Sequence, residues 1–197
     1  MEETGKDNTR RTTRGGLDFF RGFLRSPEQV GSIIPSSRFL ERRIVNVSGL
    51  ETAGTVVELG PGTGGTTRAI LNALCPDAKL LTIELDPQFS CILESFGDPR
   101  LFPHTGSAAE LPEILDQYGL PAPDVVISGI PFSTMPSEIG NAVLEAVRDS
   151  LAPGGRFVAY QFRGHVGRMG RLILGDPEVE LELLNVPPMR FYCWRKD

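Results

Sequence analysis

The stretch VVELGPGTGG, residues Val56–Gly65, decides the fold of this chain. It opens with β-branched residues and continues into glycines, which predicts a buried strand that ends in a tight turn. A helical pattern starts within the turn, at about Thr63, and continues to Leu74. Strand, glycine-rich turn and helix in this order form the ligand-binding unit of Rossmann-like α/β folds.

The glycine-rich turn by itself fits two kinds of cofactor. Gly60, Gly62 and Gly65 satisfy the GxGxxG pattern of dinucleotide sites. Glu58 would repel a pyrophosphate but suits the sulfonium and ammonium groups of S-adenosylmethionine, and Pro61 removes an N–H donor that phosphate oxygens would use. We therefore predict that the turn binds S-adenosylmethionine, with S-adenosylhomocysteine as product, through Glu58, Gly60, Gly62, Thr63 and Gly64. A tight turn with no ligand is the alternative.

From residue 55 onward, short β-rich apolar runs alternate with longer helical patterns, which predicts βαβ units and a mostly parallel sheet. Strands are predicted at Thr55–Leu59, Lys79–Glu84, Arg100–His104, Asp124–Ser128 and Gly155–Phe162. Helices are predicted between them at Thr63–Leu74, Pro87–Phe96, Ala108–Tyr118 and Ser137–Leu151.

The end of the chain breaks this alternation. Two strand-like runs, Glu178–Leu184 and Met189–Trp194, are joined only by residues Asn185–Pro188. So short a link allows an antiparallel hairpin but not a parallel crossover. The predicted fold is therefore a Rossmann-like methyltransferase fold, a seven-stranded, mostly parallel sheet with an antiparallel C-terminal hairpin strand.

Polar residues follow the other predicted strands at the edge where open α/β sheets bind ligands. Glu84 ends the second strand and suits the two ribose hydroxyls of an adenosine, whereas Asp86, before Pro87, also fits a helix cap. Ser107 and Ala108 follow the third strand and are placed to meet an adenine ring. The predicted cofactor residues outside the glycine-rich turn are Pro35, Ser36, Glu84, Leu85, Ser107, Ala108 and Ser128.

Composition and charge limit the class of protein. The chain has 197 residues, 40% of them hydrophobic, which suits one globular domain. Its three cysteines and two histidines lack metal-site spacing, so no metal is expected. No secretory signal and no apolar run of about 20 residues is visible, which predicts a cytoplasmic protein. The acidic net charge of −5 argues against nucleic acid as a partner, and a monomer is expected.

The N-terminal segment differs from the remainder, since residues 1–43 hold nine Lys/Arg against six Asp/Glu. Leu17–Arg25 has an amphipathic pattern that groups Phe19, Phe20 and Phe23 on one face. This pattern predicts contact with an anionic membrane surface or a lid over the cofactor, although residues 1–14 also fit a solvated tail. We predict two regions, a basic arm with amphipathic and cap helices at 1–54 and an S-adenosylmethionine-binding methyltransferase domain at 55–197.

With these residues in view, the sequence resembles the bacterial phospholipid N-methyltransferases, and more distantly the ribosomal RNA adenine dimethyltransferases. The resemblance covers most of the chain and runs through Gly31–Ser37, Glu58–Gly64, Ser128–Pro131 and Asn185–Pro188. It implies N-methylation of a phospholipid amine, phosphatidylethanolamine towards phosphatidylcholine, at a peripheral membrane location. Ser107 stands where many methyltransferases carry Asp.

The loop after the fourth strand distinguishes the two groups of relatives. Adenine dimethyltransferases carry Asn or Asp before a Pro-aromatic pair there, whereas Ser128–Phe132 offers neither. We therefore prefer the hypothesis of a phospholipid N-methyltransferase. The alternatives are an RNA adenine or small-molecule methyltransferase and a cofactor-binding protein without activity.

The acceptor site is predicted around the fourth- and fifth-strand loops. A lysine-like amine has a pKa of about 10.4 and must lose its proton before it attacks, for which His165 is a weak candidate base. Arginines suit a lipid phosphate, and aromatic faces suit a methylated ammonium. The predicted catalytic residues are Ser128, Ile130, Pro131, Phe132 and His165, and the predicted substrate-binding residues are Phe19, Phe20, Phe23, Arg163, Arg168 and Arg171.

Overall fold

A computed structural model describes residues 38–185 and 187–197. The predicted amphipathic segment Leu17–Arg25, with Phe19, Phe20 and Phe23, lies outside the described residues, as do Pro35 and Ser36.

The described residues form one α/β layer structure whose helices and strands follow in chain order. The strands are β1 (Thr55–Leu59), β2 (Lys79–Glu84), β3 (Leu101–Thr105), β4 (Val125–Ser128), β5 (Arg156–Gln161), β6 (Glu178–Glu182) and β7 (Met189–Arg195). The helices are α1 (Arg38–Ser48), α2 (Gly65–Ala73), α3 (Pro87–Glu94), α4 (Leu111–Tyr118), α5 (Ser137–Ser150) and α6 (His165–Leu174), with 3₁₀ turns at Leu50–Thr52 and Ala108–Glu110.

The seven strands form one sheet in the order β3-β2-β1-β4-β5-β7-β6. Strands β1 to β5 are parallel, and β7 pairs antiparallel with both β5 and β6. The predicted fold, a mostly parallel sheet with an antiparallel C-terminal hairpin, is confirmed. The strand order reverses between β1 and β4, so the switch point where such sheets bind ligands lies at their carboxyl ends.

Several predicted boundaries are corrected by local turns. The helix predicted from Thr63 begins at Gly65 because Gly64 adopts a left-handed φ of 81°. The helix predicted from Ala108 opens with a 3₁₀ turn, and α4 begins at Leu111. The strand predicted to reach Leu184 ends at Glu182. Helix α6 was not among the predicted helices.

Apolar side chains cover both faces of the sheet. Strand β1 is buried throughout, with Val57 in the cluster under α4, α5 and α6 and Val56 in the cluster under α1, α2 and α3. Leu40 and Ile44 of α1 belong to the second cluster, so this helix is part of the same core. The predicted division at residue 54 stays a prediction.

Two glycines allow α6 to lie close to β7. A Cβ on Gly170 would fall 2.3 Å from the Trp194 ring, and one on Gly167 would fall 2.5 Å from Tyr192. Trp194 in turn stacks on Phe157 with ring centroids 5.3 Å apart. This packing fixes the start of α6 beside the end of β5. No helix among residues 38–185 and 187–197 is long and apolar enough to cross a membrane.

Candidate active site

The glycine-rich loop between β1 and α2 leaves space on one side. Gly60, Gly62 and Gly64 have φ values of 72°, 55° and 81°, which side chains other than glycine rarely adopt. A Cβ on Gly60 would lie 3.1 Å from Ile130, and one on Gly64 would lie 2.6 Å from Phe96, whereas one on Gly62 would meet nothing within 4 Å. The loop is therefore packed against the protein at Gly60 and Gly64 but open at Gly62, where a ligand has room.

The Glu84 carboxylate closes one side of this open space. Its Oε1 accepts hydrogen bonds from the backbone N–H groups of Leu85 (2.8 Å) and Asp86 (3.2 Å), and its Oε2 accepts one from Gly62 N–H (3.1 Å). Burial raises the pKa of this carboxyl, while the backbone donors lower it. A carboxylate has about four acceptor positions, so one remains on Oε2 for a ribose hydroxyl.

The Glu58 carboxylate lies fully buried behind the same loop. Its Oε2 accepts a hydrogen bond of 2.6 Å from the hydroxyl of Thr67 in α2, and its Oε1 has no hydrogen-bond partner among the described residues. Burial raises the pKa of Glu58 to about 7. A buried acceptor without a partner is complementary to a cationic donor. The site thus fits an ammonium-bearing ligand, although Glu58 also fastens α2 to β1.

The residues after β3 form a capped turn beside Glu84. Gly106 N–H donates to the Glu84 carbonyl (2.9 Å), and the Ser107 hydroxyl oxygen accepts from Ala109 N–H (3.3 Å). Ser107 and Ala108 are both buried. Since the Ser107 oxygen caps the turn, its hydrogen remains available to a ring nitrogen.

The loop after β4 is held by both neighbouring strands. Gly129 N–H donates to the Leu59 carbonyl (2.9 Å), and the Gln161 side-chain amide donates to the Ile130 carbonyl (2.6 Å). The Ser128 hydroxyl accepts from Ile130 N–H (3.3 Å). The loop with the predicted acceptor residues therefore lies next to the glycine-rich loop in a fixed conformation.

Comparison with known proteins bears on this arrangement. No known protein-family model matches the chain. The ornithine lipid N-methyltransferase of Singulisphaera acidiphila is 36% identical over 180 residues, which cover 90% of this chain and 94% of the relative. The chain belongs to that family. It is an enzyme, a methyltransferase that uses S-adenosylmethionine, and the open space at Gly62 with Glu84 and Glu58 around it fits this cofactor.

A weaker relative and two solved structures complete the comparison. Ribosomal RNA small subunit methyltransferase A of Phenylobacterium zucineum is 30% identical over 96 residues, which cover 48% of this chain and 32% of that protein. Precorrin-6y C5,15-methyltransferase from Geobacter metallireducens superposes with a TM-score of 0.66 at 17% identity, over 84% of this chain and 92% of that one. The O-methyltransferase TomG from Streptomyces achromogenes, solved with its cofactor, gives 0.66 at 16% identity, over 92% and 90%. Both structures share the methyltransferase fold.

The predicted phosphate-binding arginines Arg163 and Arg171 have different neighbours in the structure. Arg163 is exposed near the end of β5 with its guanidinium 5.3 Å from the Phe162 ring centroid. Arg171 pairs with Asp176 at 2.8 Å, near the other end of α6. Arg163 precedes α6 by two residues, whereas Arg171 lies in the last turn of this helix.

His165 begins α6, and its Nδ1 lies 3.3 Å from Nη2 of Arg168. A guanidinium only donates, so Nδ1 is the acceptor and Nε2 carries the ring hydrogen. In this tautomer Nε2 has no lone pair for a proton, and a base role requires Arg168 to move away. The Phe132 ring is fully buried in the core under α5. It does not present an aromatic face to an ammonium group.

Three residues of the site were missed in the sequence. Thr67 binds Glu58, Gln161 holds Ile130, and the Tyr160 hydroxyl lies 3.5 Å from that of Thr66. Burial, and next the Glu58 charge, raise the pKa of Tyr160. The available signal was a glutamine and a tyrosine at the end of an otherwise apolar strand.

Replacement of Gly129 by alanine is expected to lower methyl transfer about 100-fold, because displacement of a catalytic loop by about 1 Å has effects of that size. The new Cβ would fall 2.5 Å from the Tyr160 hydroxyl and 3.2 Å from the Gly60 carbonyl. Initial rates with a saturating acceptor measure the effect. Gly54→Ala, whose Cβ would meet only Asp124 at 3.6 Å, is the matched control. Partial recovery in Gly129→Ala/Tyr160→Phe supports the steric cause, and full activity of Gly129→Ala contradicts it.

Proposed function

We propose that this methyltransferase acts on the amine of a lipid headgroup. The observation that carries the proposal is the 36% identity to an ornithine lipid N-methyltransferase over nearly the full length of both chains. Phosphatidylethanolamine, the acceptor predicted from the sequence, and ornithine lipid both present a primary amine on a headgroup that also carries an anionic group. The proposed acceptor is therefore a primary amine on such a headgroup, and methyl transfer to vesicles of each lipid distinguishes the two.

The chain's own residues need to bind and align the reactants. S-adenosylmethionine supplies an electrophilic methyl group when bound. In this proposal Glu84 and Gly62 hold its ribose, and Glu58 attracts its ammonium group; the hydrogen bonds of Glu84 and the unpartnered oxygen of Glu58 support these roles. The loop Ser128–Pro131, which Gln161 holds through the Ile130 carbonyl, is proposed to position the acceptor amine. Alignment supplies much of the rate of such a displacement, and no covalent protein intermediate is needed.

Contact with a membrane belongs to the same proposal. The sequence of Leu17–Arg25 has an amphipathic helical pattern with three phenylalanines on its apolar side, and we propose that this segment binds an anionic membrane surface from the cytoplasmic side. We propose that the protein binds the membrane peripherally, as a monomer.

Methyl transfer from labelled S-adenosylmethionine to vesicles tests the acceptor. We expect label in the lipid fraction with phosphatidylethanolamine or ornithine lipid, and mass spectrometry of the product gives the number of methyl groups. Vesicles of phosphatidylglycerol, which has no amine, are the control. Transfer to a soluble amine with none to either lipid would refute the proposal.

A second candidate is methylation of RNA adenine, favoured by the 30% identity to ribosomal RNA small subunit methyltransferase A over 48% of this chain. The same assay with small-subunit ribosomal RNA tests it. The loop Ser128–Phe132 lacks an acid or amide to hold a base amino group, so no transfer to RNA is expected.

A further inference from the structure

Two adjacent leucines project from the turn between β6 and β7. Leu183 and Leu184 are 69% and 66% exposed. The turn itself is held by hydrogen bonds, since Leu184 N–H donates to the Glu182 carboxylate (2.9 Å) and the Asn185 side chain donates to the Pro187 carbonyl (2.9 Å). Asn185 is buried. Hydrogen bonds among the described residues of the turn thus hold a conformation in which both leucines are exposed to solvent.

This turn lies at the same edge of the sheet as the acceptor loop. Strand β7 starts beside the end of β5, since Arg190 is paired with Gln161. Gln161 also donates to the Ile130 carbonyl of the acceptor loop. The exposed leucines therefore stand next to the carboxyl ends of β4 and β5, where the predicted acceptor site opens.

Arginines line a groove between α1 and α2, a cavity of about 470 Å³. Arg38 and Arg42 project from α1 and Arg68 from α2, and Glu41 is the single carboxylate among the described residues that line the groove. None of the three arginines has an ion pair among the residues that the structure describes. The lining carries a charge of +2 in a chain of −5, which makes it a local site for anions.

The groove reaches the same edge as the leucines. The Val47 carbonyl, near the end of α1, accepts from Arg156, the first residue of β5. Helix α1 therefore ends at the far edge of the sheet and begins at the carboxyl edge, where α2 also begins after the glycine-rich loop. Arg38 and Arg68, in the first turns of these helices, thus lie at the carboxyl edge.

We propose that this edge docks on a bilayer that contains anionic lipids, with Leu183 and Leu184 among the acyl chains and the groove arginines on lipid phosphates. Two observations favour a bilayer as the partner: the cationic groove complements anionic lipids, and the groove and the exposed leucines lie at the same edge of the sheet. The inference rests on the proposed function for its purpose, since a lipid amine must reach Ser128–Phe132 from the bilayer. It adds a second membrane contact to the one proposed for the N-terminal segment.

Sedimentation of the full chain with vesicles tests docking apart from catalysis. The vesicles contain phosphatidylcholine alone or with one quarter phosphatidylglycerol, neither of which has a methylatable amine. Leu183→Ser/Leu184→Ser is expected to lower the partition coefficient at least about tenfold on both vesicles, from the cost of exposing apolar area. Leu172→Ser, in the last turn of α6 and 89% exposed, is the matched control and is expected to bind like the parent chain.

Replacement of the groove arginines is expected to affect vesicle binding differently from replacement of the leucines. Arg38→Gln/Arg42→Gln/Arg68→Gln is expected to lower binding about 100-fold on phosphatidylglycerol vesicles, at about fivefold for each basic residue near an anionic surface. Binding to phosphatidylcholine alone should stay unchanged, and the salt dependence of binding to phosphatidylglycerol vesicles should weaken. Circular dichroism checks that each variant is folded.

Three outcomes would overturn the proposal. One is equal binding by the Leu183→Ser/Leu184→Ser and Leu172→Ser variants. Another is a dimer that dissociates in the double serine variant while vesicle binding persists, which assigns the leucines to a second copy. The third is loss of RNA binding in the arginine variant with unchanged vesicle binding. Methyl transfer to detergent-dispersed lipid is measured in parallel, so failure of the proposed function is seen even where docking holds.

Discussion

Replacement of Glu84 by glutamine is expected to weaken S-adenosylhomocysteine binding about 10- to 100-fold, the range for loss of hydrogen bonds to a charged group. The carboxylate accepts three backbone N–H groups in the structure, from Gly62, Leu85 and Asp86. An amide NH₂ cannot accept, so at least one of these donors loses its partner and the ribose loses an ionised acceptor. Isothermal titration calorimetry measures the change.

Asp86→Asn is the matched control for this variant. Asp86 is two residues away and caps α3 by accepting from Gln88 N–H (2.9 Å), a bond that asparagine also makes. Its side chain makes no hydrogen bond to the glycine-rich loop, so the affinity should stay within about twofold of the parent chain. An unchanged affinity in a folded Glu84→Gln variant would show that this carboxylate does not hold the cofactor.

Replacement of Glu58 by glutamine is expected to stabilise the ligand-free protein at pH 8 by about 3 kcal/mol. Burial raises the pKa of Glu58 from 4.5 to about 7, and this difference corresponds to that free energy. Because the folded-state pKa is the higher one, the fold is favoured by protonated Glu58 below pH 4.5, and this contribution is lost as the pH rises to 7. The amide keeps the hydrogen bond from Thr67 without ionising.

Urea unfolding of both chains at pH 5 and pH 8 measures this effect. The difference between parent and variant isolates Glu58, since Glu84 titrates in both. The same substitution should weaken S-adenosylmethionine binding at pH 8, because the amide does not attract an ammonium group. A difference in unfolding free energy that is equal at the two pH values would contradict the assigned ionisation.

The glycine-rich loop was predictable from sequence because its conformation is local. A β-branched strand, glycines with positive φ and a following helix leave few alternatives for residues 55–73. The antiparallel hairpin was predictable because the four residues between the two predicted strands exclude a crossover. Both features depend on neighbouring residues, whose spacing the sequence displays directly.

Other parts of the site depend on contacts between distant residues. The Gln161–Ile130 hydrogen bond joins residues 31 positions apart, and nothing in either segment indicates the other. Arg163 and Arg171 are close in sequence, yet one precedes α6 and the other lies in its last turn, paired with Asp176. Glu58 was predicted as a cofactor ligand, but nothing in its own segment indicated that its carboxylate also accepts a hydrogen bond from Thr67 in α2.

The antiparallel direction of β7 has a practical consequence for handling the enzyme. Arg195 pairs with Arg156 at the start of β5, and Lys196 N–H donates to the Gly155 carbonyl, so residue 197 leaves the sheet at the edge remote from the glycine-rich loop. Arg38, in contrast, begins α1 at the carboxyl edge of the sheet, where the glycine-rich loop lies. A purification tag or fluorophore placed after Asp197 will leave the entrance to the candidate active site unobstructed. If the enzyme is immobilised through this end, its active site will point away from the support.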